Sequence, residues 1–310
     1  MQQTMPALRR IAAGALALAL ATTGALAQSA DAPASFGLTL DAIKKSHTIR
    51  LGYREASLPF SFLDQAGRPI GYSLEICEAI AGQIGMEIDE ANLAITYVKV
   101  TSDNRIDAVT DNRIDLECGS TTANAERSKK VTFSPMLYVA GTKLMVVKGS
   151  GISSAADLRG KTVVVTKGTT NQVAMAAVNE KLKLGLTILT GDDHEQSFQM
   201  LADKKADAFA TDDILLAGLI ARHKAQDQFQ IVGEYLSYDP YGIMFRKSEP
   251  QLAALVAKAF RELASNQDLL PLYNKWFMTR LPTGEKLNVP VSPQLEESFK
   301  ALDAGQSGNN

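Results

Sequence analysis

Short β-branched runs alternate with helical stripes along this chain, and the alternation runs twice. In the first run Thr48–Arg54 reads as a strand. Ser73–Ile84 then carries apolar residues at Leu74, Ile76, Cys77, Ile80, Ala81 and Ile84, the stripe of a helix that buries one face. A strand at Ile95–Val100, a helix at Asn104–Thr110 and a strand at Ile114–Cys118 follow. Val131–Val147 reads as extended chain with a break at Pro135. The rhythm restarts with the valines of Lys161–Thr166. It continues through helix Asn171–Leu182, strand Leu186–Leu189, helix Glu195–Lys204, strand Ala206–Ala210 and helix Asp213–Lys224. Phe229–Val232 and Gly242–Phe245 read as further strands, and helices Gln251–Ala264 and Leu269–Phe277 close the pattern. Strands separated by helices of this length pair in parallel through right-handed crossovers. The runs Thr48–Cys118 and Lys161–Ala210 therefore predict two α/β lobes, each a mainly parallel sheet flanked by helices.

The amino-terminal stretch bears on where the chain works. Met1–Ala27 combines Arg9 and Arg10, an apolar run Ile11–Leu20 and the triplet Ala25-Leu26-Ala27. These are the basic region, apolar region and A-x-A cleavage site of an export signal. The apolar run is too short to span a bilayer, and no Cys follows the cleavage site to carry a lipid. The expectation is a mature chain starting near Gln28, soluble in the periplasm. Cleavage would remove two Arg and take the formal charge from -2 to -4, which leaves no basic footprint for nucleic acid. The remainder, on the order of 280 residues, is enough for two lobes. Residues Gln28–Gly37 read as a loose leader and 304–310 as a flexible tail.

Open α/β sheets bind their ligands outside the carboxyl ends of the strands. In the first run those ends deliver Arg54, then Ser102 and Arg105, then Ser120, Thr122 and Arg127. In the second they deliver Gly168-Thr169-Thr170, Asp192-Asp193-His194 and Asp212-Asp213. The amino ends are plainer. Within Asp115–Arg127, a strand turns through Gly119-Ser120-Thr121-Thr122 into what reads as a helix carrying Arg127. Free N–H groups at that helix start, its hydroxyls and the guanidinium fork would converge on an anion. Glu117 and Glu126 flank this stretch and read as facing solvent or a salt bridge. His194 reads either as a ligand contact or as a helix-start residue in solvent.

The segments GYREASLPFSF, TSDNR, ECGSTTANAER, VTKGTT, DDHEQSF, TDDILLAG and NKWF, in this order, resemble the periplasmic solute-binding proteins of polar amino acid ABC transporters, family 3. The glutamate/aspartate-binding group is the most similar, and the resemblance covers Leu38–Leu281. It implies a two-lobed type II periplasmic binding fold. One lobe would comprise 28–141 and 239–303 and the other 142–238, with crossings near Tyr138–Lys143 and Ser237–Gly242. The implied protein is a monomer without cofactor or metal that takes glutamate or aspartate in the interlobe cleft, closes on it and delivers it to a membrane permease. Carried over by motif, Arg127 would hold the α-carboxylate with help from Ser120, Thr122 and Thr170, and Asp212 would pair with the α-ammonium. Arg54 and Arg105 would receive the side-chain carboxylate, with Ser102 and His194 nearby. Lys167 departs from the pattern, since relatives in the glutamate/aspartate group carry Ser before GTT.

Charge counting agrees with that assignment. A zwitterion needs one cationic and one anionic partner, and a buried extra carboxylate needs a further cation. Arg54 and Arg105 are surplus once Arg127 and Asp212 serve the zwitterion. The rival reading is a dehydratase-type enzyme on the same fold, and a third is the ectodomain of a sensor or channel. The chain contains no P-loop, no H-E-x-x-H and no G-x-S-x-G, and its three His are scattered. Trp276 and Phe277 read as packing onto the first lobe; Phe60 and Tyr53 read equally as ligand wall or core. Cys77 and Cys118 are the only cysteines. An oxidising compartment favours a bridge between them, and two separate buried thiols are the alternative.

Overall fold

The computed structural model describes residues 37–307. The expected export signal and most of the expected leader lie outside them. Helix Leu38–Ser46 (α1) leads into strand Thr48–Tyr53 (β1). The short strands Ala56–Ser57 (β2), Ser61–Leu63 (β3) and Pro69–Ile70 (β4) form an antiparallel flap. Helix Tyr72–Glu87 (α2), strand Ala94–Lys99 (β5), helix Arg105–Thr110 (α3), strand Leu116–Glu117 (β6) and strand Val131–Phe133 (β7) follow. Tyr138–Ala140 (β8) then leads to Thr142–Val147 (β9). The second run comprises Thr162–Thr166 (β10), Thr170–Leu182 (α4), Thr187–Gly191 (β11), His194–Ala202 (α5), Ala208–Asp212 (β12), Asp213–Arg222 (α6) and Phe229–Val232 (β13). Asp239–Tyr241 (β14), Met244–Arg246 (β15), Pro250–Ser265 (α7), Leu269–Phe277 (α8) and Pro293–Ser307 (α9) complete the described chain.

Two five-stranded sheets result, ordered β5-β1-β6-β15-β7 and β11-β10-β12-β9-β13. In each, the strands joined by helices pair in parallel: β1 with β5 and β6, β10 with β11 and β12. The strands that return from the other part of the chain pair antiparallel. The valines of β10 are fully buried because helices cover both faces of such a sheet. The chain crosses between the lobes along two strands, β8 and β14, which pair antiparallel with Tyr138 opposite Tyr241 and Ala140 opposite Asp239.

An aromatic cluster at the base of the crossing ties the C-terminal helices to the first lobe. Phe60 meets Tyr72, Tyr138, Tyr241 and Phe277 edge-on, with ring centroids 5.0 to 6.3 Å apart. Phe277 also stacks on Tyr273 and Tyr138. Trp276 packs on Phe62 and donates its indole N–H to Glu75 Oε2 (3.0 Å). Phe60 is therefore a core residue and not a ligand wall. Each such aromatic pair contributes about 0.5–1.5 kcal/mol beyond the area it buries.

The tail departs from expectation. Residues 304–307 belong to α9, and 308–310 lie outside the described residues. The helix persists because Leu295 and Phe299, one turn apart, are buried against α7 and α8. Cys77 of α2 and Cys118 are joined as a disulfide, with Cα atoms 6.1 Å apart. The bridge ties α2 to the strand it covers, closing a loop with a sequence separation of 41. In the chain-entropy view such a loop contributes about 3–4 kcal/mol. Reduction is expected to lower the thermal midpoint by several degrees in calorimetric scans with and without dithiothreitol; coincident scans with alkylated thiols would show the bridge to be idle.

Candidate functional site

The strand ends of both lobes face one another, and the charge they carry is buried. Arg54 follows β1 and is 2% exposed. Its Nη2 donates to Ser102 Oγ (2.6 Å), just beyond β5. Arg105 opens α3 and donates from Nη1 to the Ser120 carbonyl (3.3 Å). Arg54 Nη1 and Arg105 Nε are both buried without a hydrogen-bond partner among the described residues. Burial, with the neighbouring Arg105 cation next in importance, pushes Arg54 down to about 9, and burial lowers Arg105 as well. Both remain cations at neutral pH, so two like charges share a desolvated corner.

Arg127 is the third buried guanidinium. It opens a short turn of 3-10 helix, Arg127–Lys129, and donates from Nη1 to the Thr122 carbonyl (2.8 Å). Its Nη2 reaches across to the Gly168 carbonyl at 3.4 Å. Burial pushes it down to about 9, with Arg105 adding to the shift and Glu117, Asp239 and Asp212 opposing it. The helix expected to begin in the GSTT turn does not form. Strand β14 claims this backbone instead: Ala123 N–H donates to the Pro240 carbonyl, Gly242 N–H to the Thr121 carbonyl, and Thr122 bridges to Tyr241. The helix starts lie in the second lobe, where Thr169 caps α4 and Asp193 caps α5.

His194, the first residue of α5, is buried, which excludes the solvent-facing reading. Its Nδ1 lies 2.9 Å from Thr166 Oγ1. Burial, then the cations Arg54 and Arg105, hold it well below the usual imidazole range, so it is neutral. Asp212 ends β12 and is buried. Asn171 Nδ2 donates to its Oδ1 (2.7 Å), and the Tyr241 hydroxyl donates to its Oδ2. Burial, followed by the nearby charge of Asp239, pushes Asp212 up to about 7. Asp213 lies at the crossing instead, accepting from the Tyr235 hydroxyl (2.9 Å).

Asp239 is the residue that sequence reasoning missed. Its Oδ1 accepts from Thr122 Oγ1 (3.0 Å) and Thr170 Oγ1 (2.9 Å), and its Oδ2 from Ser237 Oγ. A hydroxyl has one proton to give. Thr122 and Thr170 give theirs to Asp239, so towards the pocket they offer lone pairs. That suits an ammonium better than the carboxylate they were expected to help hold. Asn171 and Tyr241 were missed too. Asn171 adjoins Thr170 at the start of α4, but nothing local in the sequence marks Tyr241 or Asp239.

Arg105, Ser120, Thr122, Thr169, Thr170, Asn171, His194, Asp212 and Leu215 line a pocket of about 200 Å³ of space outside protein atoms. Arg127 adjoins it through the Thr122 carbonyl, and Arg54 lies close enough for its charge to act on the lining residues Arg105 and His194. A larger depression beside α8 and α9, lined by Leu269, Pro271 and Phe299 among others, has no comparable set of buried charges. At the cleft mouth the lobes touch. A Cβ on Gly168 (φ +74°) would lie 2.6 Å from Asp103 Cα, so only glycine permits this approach. Lys167, the departure noted in the sequence, makes an ion pair with Asp103 across the mouth (2.8 Å). Among the described residues no cluster of His, Cys, Asp or Glu could hold a metal, and no helix is long and apolar enough to cross a membrane.

Two α/β lobes closed over a small pocket of buried guanidiniums and carboxylates define a receptor for a small charged solute. The chain belongs to the bacterial extracellular solute-binding proteins, family 3, whose model matches residues 49–279. It is 38% identical over 285 residues, covering 92% of this chain and 93% of the relative, to the glutamate/aspartate import solute-binding protein of Escherichia coli K12. It is 39% identical over 261 residues, covering 84% and 86%, to the L-glutamate/L-aspartate-binding protein of Pseudomonas aeruginosa. Among solved structures, a mutant of ArgBP from T. maritima superposes with a TM-score of 0.70 at 27% identity, covering 78% of this chain and all of that one.

The raised value of Asp212 makes a prediction. Below about pH 7 the free protein holds a proton on Asp212, and an ammonium placed against the carboxylate favours its ionised form. Binding an amine ligand at about pH 6 is therefore expected to release up to one proton, and at about pH 8.5 close to none. Affinity should fall as pH drops through 7. Calorimetry in buffers of different ionisation enthalpy measures the release; equal values at both pH would remove Asp212 from the ammonium site.

Proposed function

We propose that this protein is a periplasmic receptor that captures an acidic L-amino acid, glutamate or aspartate, between its lobes and delivers it to the membrane permease of an ABC transporter. The observation that carries the reading is the pair of buried guanidinium nitrogens, Arg54 Nη1 and Arg105 Nε, that have no hydrogen-bond partner among the described residues. Leaving such donors unmet costs free energy, and a side-chain carboxylate would meet both. The names of the E. coli and P. aeruginosa relatives point to the same ligands.

The buried charges support the following roles. Arg127 offers its fork to the α-carboxylate with Ser120 beside it. Asp212, with Thr122 and Thr170 as acceptors oriented by Asp239, receives the α-ammonium. Arg54, held by Ser102, and Arg105, held by the Ser120 carbonyl, receive the side-chain carboxylate beside neutral His194. Glutamate and aspartate differ by one methylene, a difference of about 1–3 kcal/mol in a shaped pocket. The second crossing strand allows the lobes to part and close around the ligand. The protein binds and releases; it does not transform its ligand.

Titration calorimetry with the common amino acids tests this. One-to-one binding of glutamate or aspartate, with the ligand recovered unchanged, is expected; no heat from either would overturn the reading. Arg127→Ala should abolish binding of every amino acid, a loss of roughly 3–5 kcal/mol. Arg54→Ala and Arg105→Ala should weaken glutamate far more than glutamine, and equal losses would remove both from the side-chain site. Asp212→Asn should weaken amino acids while sparing a dicarboxylic acid without the amine.

A further inference from the structure

Glu117 is buried where a solvent-facing or salt-bridged carboxylate was expected. It lies in β6 and its backbone is paired on both sides, with β1 and with β15. Its Oε2 accepts from Thr121 Oγ1 (2.5 Å), and its Oε1 has no hydrogen-bond partner among the described residues. A Cβ placed on Gly119 would lie 2.4 Å from Glu117 Oε1 and 2.9 Å from Arg54 Cγ. The carboxylate and the arginine stem thus press against the same point of bare backbone, and glycine there is what lets them meet. Arg54, Arg105 and Arg127 all feel the Glu117 charge as an attraction. Yet Glu117 makes no direct ion pair with any of them among the described residues. It acts on the pocket through its field, in a dry interior where one unit charge matters.

We infer that Glu117 is a specificity-determining residue: it cancels one of the two arginine charges in the side-chain subsite, so that the subsite takes a side chain of charge -1 in preference to neutral or doubly negative ones. This rests on the assignment of Arg54 and Arg105 to the ligand side chain. Without Glu117 each of the two buried guanidiniums would lose the strongest opposing charge it feels, leaving the weaker pulls of Asp193 on Arg54 and Asp212 on Arg105, and a dianion would match them better than a carboxylate. With it, the sum closes on one carboxylate. Oε1, turned towards Gly119, has no proton donor to hold it, so a purely structural role leaves half of the carboxylate unexplained.

The test uses three L-amino acids of graded side-chain charge: glutamine, glutamate and O-phosphoserine, whose phosphate is close to doubly charged above about pH 7. Dissociation constants are measured by calorimetry for the wild-type protein and Glu117→Gln at about pH 7.5, with thermal melts as a folding control. The variant is expected to shift the ranking towards negative charge: the phosphoserine-to-glutamate Kd ratio falls, and the glutamine-to-glutamate ratio rises, each by about ten-fold. If phosphoserine binds neither protein, the glutamine-to-glutamate ratio decides. Ratios within two-fold of wild type would overturn the inference. Should Glu117→Gln fail to fold, the wild-type protein supplies the answer. Its preference for phosphoserine relative to glutamate should improve as the phosphate dianion takes up one proton and becomes a monoanion below about pH 6, and a flat or worsening ratio would overturn the inference. Wild-type protein that binds no glutamate would fail the underlying assignment itself, a result separate from unchanged ratios in a variant that does bind it.

Discussion

One carboxylate joins the two lobes and the crossing between them. Asp239 takes hydroxyl protons from Thr122 in the first lobe, Thr170 in the second and Ser237 on the crossing between them. An ionised carboxylate has room for several acceptor bonds, and here three segments far apart in sequence fill them. The consequence is chemical as well as mechanical. Because both threonine protons are committed, the oxygens turned towards the pocket are acceptors. Next to Asp212 they make one wall suited to an ammonium, while the three guanidiniums make the remainder suited to carboxylates.

That division is maintained by desolvation. Arg54, Arg105, Arg127, Asp212, Asp239 and Glu117 are all buried. Charges in such a place shift strongly or require partners. Asp212 is pushed up by burial and by Asp239, whereas the arginines are pushed down by burial and, for Arg54 and Arg127, by Arg105. The pocket is therefore strained electrostatically in a way that a ligand of opposite pattern relieves. A zwitterion with one further carboxylate has that pattern. The backbone supports it: a Cβ on Gly168 or Gly119 would fall under 3 Å from Asp103 or from Glu117 and Arg54, so glycine leaves room for the packing at both points.

The frame behind the pocket is apolar and rigid. The rings of Phe60, Tyr72, Tyr138, Tyr241, Tyr273 and Phe277 interlock around the base of the crossing strands. Tyr241 belongs to both systems, since its ring packs on Phe60 while its hydroxyl donates to Asp212. The disulfide from Cys77 to Cys118 secures the strand end from which Ser120 and Thr122 project. Packing and recognition share residues here, so side chains at the site are held by the core and not by the loops alone.

The sequence by itself determined the elements of the two runs, though not α1, β2–β4 or α9, and gathered most of the buried charged residues. Strands and helices of both runs fall within about three residues of their periodic patterns, because those periods are local properties of burial. The strand-end rule picked out Arg54, Arg105, Arg127, His194 and Asp212, because parallel topology sends every strand's carboxyl end to the same side. Only the tertiary structure decided the rest. Glu117 alternates with Leu116 and Cys118, which reads as solvent-facing on a one-sided strand, but a sheet covered on both faces has no solvent side. The GSTT turn had its helix-start residues, yet the Thr121 carbonyl and the N–H of the following Ala123 pair with a strand more than a hundred positions away. Asp239 carries no motif and no period; its function exists only where its partners Thr122 and Thr170, 117 and 69 residues distant, are brought to one oxygen. Local patterns report what each segment buries, and only the closed fold reports which buried groups meet.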